Sequence, residues 1–457
     1  MKTINPYTEE VIEDHALDSR EDLQRKLERT AKAFRDWRAK KPEQRAEPIL
    51  KLGTLLEENR DSLAKLMVTE MGKLIGHAQA EVDLVIDICR YSAEEGPRIL
   101  RDQSRDVDQG RALVTFQPIG TIFSVQPWNF PLYQVIRNAA PLLVSGNAMM
   151  LSHAPNVWGS AKRLVELFQE AGVPEGIFDA IYADDEDDLS VVYDHDSVRG
   201  VTFTGSAKTG AIVATEAAKR RKKSMLELGG SDAYLVFDDA DIERAVEACV
   251  FGRFHNNGQV CTAAKRFIVQ RGVYDDFRDA FRARVEELSL GDPMDEDTDL
   301  GPMARQDLLD KLVDQVKGSI DAGAKAVIGG EAPDRTGYFY APTILERLEP
   351  GMPAYDEELF GPVASFIPVA DEDEAVKVAN SSRFGLGGGI FCADEDRAIR
   401  IAKHRLDTGM VNINGYSNAK VNVPFGGVKD SGYGREHDEY GFLEFVNIKA
   451  ITVHEEK

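Results

Sequence analysis

The sequence predicts an α/β protein with doubly wound parallel sheets. Three observations carry this. Helical periodicity fills the first hundred residues, the texture changes abruptly at Ala112 to short apolar runs, and such runs then alternate with amphipathic segments almost to the end. Strands alternating with helices mean parallel sheets joined by crossover helices.

Segment 20–39 carries Leu23, Leu27, Ala31, Phe34 and Trp37 at three- and four-residue spacing, one apolar face of a helix. Segments 47–71 and 74–100 read the same way. Ala112–Phe116 and Gly120–Val125 read as strands. Ala148–Leu151 precedes a helix over 157–172, and Gly200–Thr204 precedes one over 208–222. Ala233–Phe237, a helix over 241–255, a strand over 265–270 and a helix over 273–288 follow. A second series has a helix over 304–322, Ala326–Ile328, a helix over 372–380, Gly388–Phe391 and a helix over 395–406. The tail Phe445–His454 reads as a strand without a local partner. It is either an edge of the main sheet or a strand offered to another subunit.

At 457 residues the chain has room for two or three domains, and its 43% hydrophobic content suits a water-soluble globular protein. No run is apolar for the length of a membrane span, and the start shows no signal peptide. The formal charge of −23 excludes nucleic acid and anionic membranes as natural partners. Acid clusters at 184–188 and 292–299 fit either simple solubility or a high-salt cytoplasm, where screening makes self-repulsion tolerable. The cysteines Cys89, Cys249, Cys261 and Cys392 form no CxxC, which points to a reducing, cytoplasmic compartment and away from metal.

Cys261 closes the stretch Phe254-His255-Asn256-Asn257-Gly258-Gln259-Val260, and Glu227 opens Glu227-Leu228-Gly229-Gly230. A thiol after a glycine turn, with a separate carboxylate to deprotonate it or to activate water, is equipment for covalent catalysis on a carbonyl. A lone cysteine is more often a small buried apolar residue. Gly205-Ser206-Ala207-Lys208-Thr209-Gly210 follows a strand and opens a helix, where backbone N–H groups can meet a phosphate. It is neither GxGxxG nor a Walker A loop, and an ordinary strand-to-helix turn reads equally. Asn129 in Pro127-Trp128-Asn129-Phe130-Pro131 is an amide at a strand end, suited to an oxyanion or to capping a turn. Glu358-Leu359-Phe360-Gly361-Pro362 offers a carboxylate for a ribose and a ring for a flat base, or a solvated acid beside a core ring. Pro424-Phe425-Gly426-Gly427, with the glycines that follow, could line a site mouth or be a long connection.

Taken in order with Phe203-Thr204-Gly205-Ser206, these motifs resemble the aldehyde dehydrogenase superfamily over essentially the whole chain. Leu151-Ser152-His153-Ala154-Pro155-Asn156, Gly258-Gln259-Val260-Cys261-Thr262-Ala263-Ala264-Lys265-Arg266-Phe267 and Leu300-Gly301-Pro302-Met303-Ala304-Arg305 look most like its short bacterial succinate-semialdehyde dehydrogenases. The resemblance implies a Rossmann-type cofactor unit (1–104 and 119–229), a catalytic unit (230–430) and a small β element (105–118 and 431–457) that joins subunits into a homodimer or homotetramer.

It also implies residue roles. Cys261 is the nucleophile, Glu227 activates water, and Asn129 with the Cys261 backbone N–H holds an oxyanion. Gly205 and Ser206 meet a dinucleotide pyrophosphate, Trp128 and Phe360 lie by the dinucleotide, Glu358 takes the nicotinamide ribose and Leu228 contributes its carbonyl. Glu436 matches a proton-relay acid, but Asn138 stands where the relay lysine would be. Arg137 matches an arginine that clamps a substrate carboxylate, Phe425 lines the substrate side, and His255 stands where some relatives have a second arginine. Ser152 replaces a lysine that touches the adenosine ribose, Pro155 replaces a glutamate that rejects NADP, and His153 is a partial substitute cation. The expectation is NAD, with NADP possible, and a short aldehyde substrate such as succinate semialdehyde. A broad aliphatic aldehyde dehydrogenase and a non-catalytic dehydrogenase-fold binding protein are the alternatives.

Overall fold

Short polar side chains set the helix starts. Ser19 accepts from Asp22 N–H and opens Arg20–Ala39, and Ser206, Asp241, Asp371 and Asp394 cap later helices in the same way. The computed structural model describes residues 1–108, 110–183 and 186–454. Asp184, Asp185 and the side chains of Glu186 and Asp187 in the first acid cluster lie outside the described residues, as do residues 109 and 455–457 of the expected bridging stretches.

Four helices lead the chain: Arg20–Ala39, Pro42–Glu58, Arg60–Met71 and Ile75–Ile99. The helix expected over 47–71 is two helices that meet at Asn59. Arg20–Ala39 packs on a six-stranded sheet, and the other three pack on the helices Tyr133–Val144 and Trp158–Glu170 beside it. The sheet is ordered Gly432–Tyr433, Lys223–Glu227, Val198–Thr204, Thr121–Gln126, Ala148–His153, Phe178–Ile181. Its pairs are parallel except at the Gly432–Tyr433 edge. The helix Tyr133–Val144 is an element that periodicity does not announce. All its residues are buried, so it lacks the polar face that makes a helix legible.

A seven-stranded sheet follows, ordered Lys325–Ile328, Thr343–Glu346, Val363–Val369, Arg266–Gln270, Ala233–Val236, Gly388–Phe391, Asn412–Ile413. It is parallel except for the Lys325–Ile328 edge. The α/β class expected from the sequence is the observed one.

The tail strand Val446–Val453 is an edge of neither large sheet; its partner lies in the stretch 105–118 that the resemblance groups with it. It pairs antiparallel with Gly110–Pro118, from Val446 opposite Pro118 to Val453 opposite Arg111, and Gln103–Val107 completes a three-stranded sheet. Gly432–Tyr433 joins the six-stranded sheet, and the helix Asp438–Leu443 packs against Tyr133–Val144, so residues 432–443 do not belong to that small sheet. The second acid cluster holds its own loop together. Asp292 accepts from Met294 N–H, Asp295 from Asp297 N–H and Asp299 from Ser289 N–H. These acids stitch a turn. Among the described residues, no helix is long and apolar enough to cross a membrane.

Candidate active site

Cys261 is delivered by a strained turn. The helix Ile242–Phe254 ends, and Asn256, Asn257 and Gly258 take left-handed φ values of +52°, +55° and +71°. Asparagine and glycine tolerate that region best. The turn is over-determined by its neighbours. Arg253 donates to the carbonyls of Gly258 (2.7 Å) and Gly361 (2.8 Å), Asn257 Nδ2 to Pro302 O (2.7 Å), and Gly301 N–H to Asn257 Oδ1 (2.9 Å). Gln259 Oε1 accepts from Ala304 N–H at 3.0 Å. The motifs at 300–304 and 358–362 thus act in part as clamps on the nucleophile turn.

Asn129 arrives from the other sheet, just beyond Thr121–Gln126. Its Nδ2 donates to Gln259 O at 3.0 Å, and Gln134 Nε2 donates to its Oδ1 at 3.3 Å. One amide N–H therefore locks the side chain to the nucleophile turn and the other is free to face a reacting oxygen. Glu227 ends Lys223–Glu227, opposite Thr204 in the register. It is 2% exposed, and neither of its carboxylate oxygens has a hydrogen-bonding partner among the described residues.

Cys261, Glu227 and Asn129 line one cleft of about 830 Å³, counted to its open mouth, between the two large sheets. Trp128, Gly205, Ser206, Leu228, Glu358 and Phe360 line it too. The structure thus brings together the expected nucleophile, base, amide and most of the expected dinucleotide residues.

The cleft fits an elongated dinucleotide. Ser206, which lines the cleft, caps the helix Ala207–Lys219 by accepting from Thr209 N–H, which sets that helix N-terminus beside the cleft wall. Gly210 packs against Leu228, where a Cβ would stand 2.5 Å from a methyl carbon. Glu358 presses on Gly229, where a Cβ would collide with its carboxylate. Trp128 and Phe360 meet edge to face at 5.8 Å. Lys311 and Gln315 also line the cleft and were missed, because a lysine and a glutamine on a helix read as solvated.

Burial dominates the electrostatics. Desolvation pushes the Cys261 thiol up to about 12, against the pull of Arg137 and Lys265. Desolvation and the Glu436 charge also hold Glu227 well above the carboxylate range. Glu436 is raised by burial, which Arg137 and an Asn138 hydrogen bond oppose.

The expected substrate residues and the substitute cation need correction. Arg137 does not line the cleft. Its Nε sits 2.8 Å from Glu436 Oε2, an ionic contact without hydrogen-bond alignment, and Nη2 donates to Thr204 Oγ1 at 3.1 Å. Its guanidinium lies over the rings of Tyr133 (4.9 Å) and Phe425 (5.1 Å). A clamp on substrate would have to compete with Glu436. Phe425 packs on this cation and is 6% exposed. His255 is held neutral, its pKa lowered by burial and by His77 and Lys73. It lines a separate solvent-open cavity of about 1300 Å³ with His77, Phe251 and Tyr416.

His153 cannot stand in for the missing lysine. Its Nε2 is 2.9 Å from Pro131 O, its Nδ1 accepts from Ala154 N–H at 3.1 Å, and burial lowers its pKa. Ser152 is buried on the strand Ala148–His153, and Pro155 opens the one-turn helix Pro155–Val157.

A thiol, a protonatable carboxylate and a preset amide lining one cleft with room for a dinucleotide define a cysteine-dependent oxidoreductase class. The chain belongs to the aldehyde dehydrogenase family, whose profile matches residues 1–451. Among its relatives is the succinate semialdehyde dehydrogenase [NAD(P)+] Sad of Escherichia coli (strain K12), 42% identical, the match covering 98% of this chain and 97% of that one. A succinate-semialdehyde dehydrogenase [NADP(+)] of Deinococcus radiodurans is 43% identical, with 98% and 94% covered. The crystal structure of a succinic semialdehyde dehydrogenase from Streptococcus pyogenes with NADP+ superposes with a TM-score of 0.97 at 40% identity, covering 99% of this chain and 100% of that one. The protein is an NAD(P)-dependent oxidoreductase acting on aldehydes.

Proposed function

We propose that this enzyme oxidises a short aldehyde carrying a far carboxylate, succinate semialdehyde first, to the acid. The observation that carries the chemistry is the buried Glu227 carboxylate, without a hydrogen-bonding partner among the described residues, sharing a cleft with the Cys261 thiol. The relatives named for succinate semialdehyde support the substrate.

In this reading Glu227 takes the thiol proton and the Cys261 sulfur adds to the aldehyde carbon. The free N–H of the Asn129 amide and the Cys261 backbone N–H face the oxyanion. When bound, the nicotinamide dinucleotide supplies the acceptor for the hydride that leaves this carbon. The acyl group is then a thioester on Cys261. Glu227 gives the thiol proton up to solvent, then deprotonates water for hydrolysis of the thioester and returns that proton to the departing Cys261 sulfur, which releases the acid and restores the thiol. Gly205, Ser206, Leu228, Trp128, Glu358 and Phe360 would hold the dinucleotide.

For the choice of dinucleotide we move from NAD to NADP, with NAD also accepted. The relatives named for NADP+ or NAD(P)+ support this. Pro155 presents no carboxylate to repel a 2′-phosphate, and Ser152 provides a hydroxyl but no charge.

A division into a cofactor unit around the six-stranded sheet and a catalytic unit around the seven-stranded sheet fits this placement. Ile448, Ile451 and Val453, between 42% and 59% exposed on the tail strand, support a homo-oligomer built through the three-stranded sheet. Four cysteines without a disulfide suit a cytoplasmic location.

The test is reduced-dinucleotide absorbance with succinate semialdehyde, NAD and NADP run in parallel at low salt and in molar KCl. Turnover with both, stronger with NADP and lost in Cys261→Ala, is expected. Turnover only with long aliphatic aldehydes would replace the substrate reading.

A further inference from the structure

Lys265 stands one residue before the strand Arg266–Gln270, in a sequence context that gives it no evident role. Its side chain is 3% exposed. A buried ammonium carries three N–H donors, and each must find an acceptor. All three do. The Nζ donates to Cys261 O at 2.6 Å and to Val260 O at 3.0 Å, and it sits 3.3 Å from Glu358 Oε1.

The same Glu358 oxygen accepts Gly230 N–H at 3.1 Å, while its other oxygen lies against Gly229. One cation therefore touches both the backbone of the thiol residue and the carboxylate that faces the dinucleotide groove. Upstream of Cys261 the turn is clamped by Arg253 and Asn257. Downstream, Lys265 is the side chain that holds the carbonyls of residues 260 and 261.

We propose that Lys265 is a positioning residue that couples occupation of the dinucleotide groove, through Glu358, to the conformation and reactivity of the Cys261 turn. This rests on the reading above in which Glu358 meets the nicotinamide ribose and Cys261 is the nucleophile. Hydroxyl donors arriving at Glu358 share its charge and loosen its hold on the ammonium, which then turns more of its hydrogen bonding to the two carbonyls. The effect is reciprocal for the equilibria: the factor by which occupation shifts the conformation of the turn is the factor by which that conformation shifts dinucleotide affinity. Lys265 is also one of the two cations that draw the Cys261 pKa downward against burial.

The test is the rate of Cys261 alkylation by iodoacetamide, read by peptide mass spectrometry, without and with saturating NADP. Dinucleotide affinity is measured separately by titration. In the wild type NADP should change the alkylation rate about fivefold or more, the scale of ordinary coupling between sites. In Lys265→Met that change should vanish even at saturation, with dinucleotide affinity lowered about tenfold. Glu358→Gln should reach the same loss from the other end of the bridge. Should Lys265→Met not fold, Lys265→Arg, which keeps charge but cannot serve three acceptors in this geometry, should show a reduced response.

A wild-type rate indifferent to NADP, or a Lys265→Met protein with the full response, overturns the coupling. Failure of the functional reading looks different: the wild type would turn over no aldehyde, or alkylated Cys261 would leave turnover intact.

Discussion

Removing the Arg137 guanidinium separates two accounts of what it does. Its Nε lies 2.8 Å from Glu436 Oε2, both side chains at most 1% exposed, and Asn138 Nδ2 donates to the other oxygen at 2.9 Å. Unit charges about 4 Å apart at an effective dielectric near 20 attract by about 4 kcal/mol. Breaking such a buried pair from one side costs about 3–5 kcal/mol, because the remaining charge stays desolvated without its partner. Arg137→Met should therefore lower the unfolding free energy by about 3–5 kcal/mol at neutral pH, and Arg137→Met/Glu436→Gln should recover most of it. Urea unfolding of the two single variants and the double variant measures this. Kinetically, kcat/KM should fall by similar factors for succinate semialdehyde and for an uncharged aldehyde of equal length, since what is lost is the setting of Glu227 and Cys261. An Arg137→Met enzyme as stable as the wild type, with about a hundredfold loss confined to the carboxylated aldehyde, would refute this and restore the clamp expected from sequence.

Other outcomes follow from the same geometry. Because Glu227 and the Cys261 thiol both hold their protons to higher pH than usual, their ionised forms grow as pH rises, so kcat/KM should climb from pH 6 into the alkaline range; an acid optimum would contradict the assignment. Asn129→Ala should cut kcat about 10²–10³-fold while titrated dinucleotide affinity holds, and an unchanged kcat would remove the amide from the oxyanion site. Glu70 accepts Gly159 N–H at 2.8 Å and Ser160 N–H at 3.1 Å, and burial raises its pKa to about 7. A raised folded-state pKa means its contribution is intact below about pH 4.5 and is lost as pH rises through 7, about 3 kcal/mol in all. Glu70→Gln should flatten that part of the stability profile, measured by urea unfolding at pH 5 and pH 8.

The motifs legible in the sequence were those in which residue type alone states a chemistry. Cys261, Glu227 and Asn129 share one cleft, and Gly205, Ser206, Glu358 and Phe360 line it beside them. What stayed illegible was pairing. Arg137 could be matched to a substrate anion because Glu436, its contact in the fold, lies far along the chain. His153 passed for a spare cation because nothing local reveals that Pro131 O and Ala154 N–H occupy its ring. Lys265 gave no signal, since a lysine before a strand ordinarily reaches solvent. The partner of the tail strand came only through the resemblance, because a strand's own pattern states its faces but not its neighbour.

These pairings bear on how a thiol held near 12 can serve as a nucleophile at all. The charges that act on Cys261 are two cations, Arg137 and Lys265, and the carboxylates of Glu358 and Glu227. Losing the thiol proton to solvent would add a negative charge to a buried and already acidic site, which desolvation opposes. Passing that proton to Glu227 adds none. On the reading proposed above, the same burial that weakens the thiol as an acid strengthens Glu227 as a base, so the proton would pass between two groups of one cleft. An ordinary low-pKa carboxylate could not accept the proton, and a solvent-exposed one would equilibrate with bulk water. On that reading the role requires Glu227 to be buried and, as it is among the described residues, free of hydrogen-bonding partners, at a position where an unpaired charge would otherwise be costly.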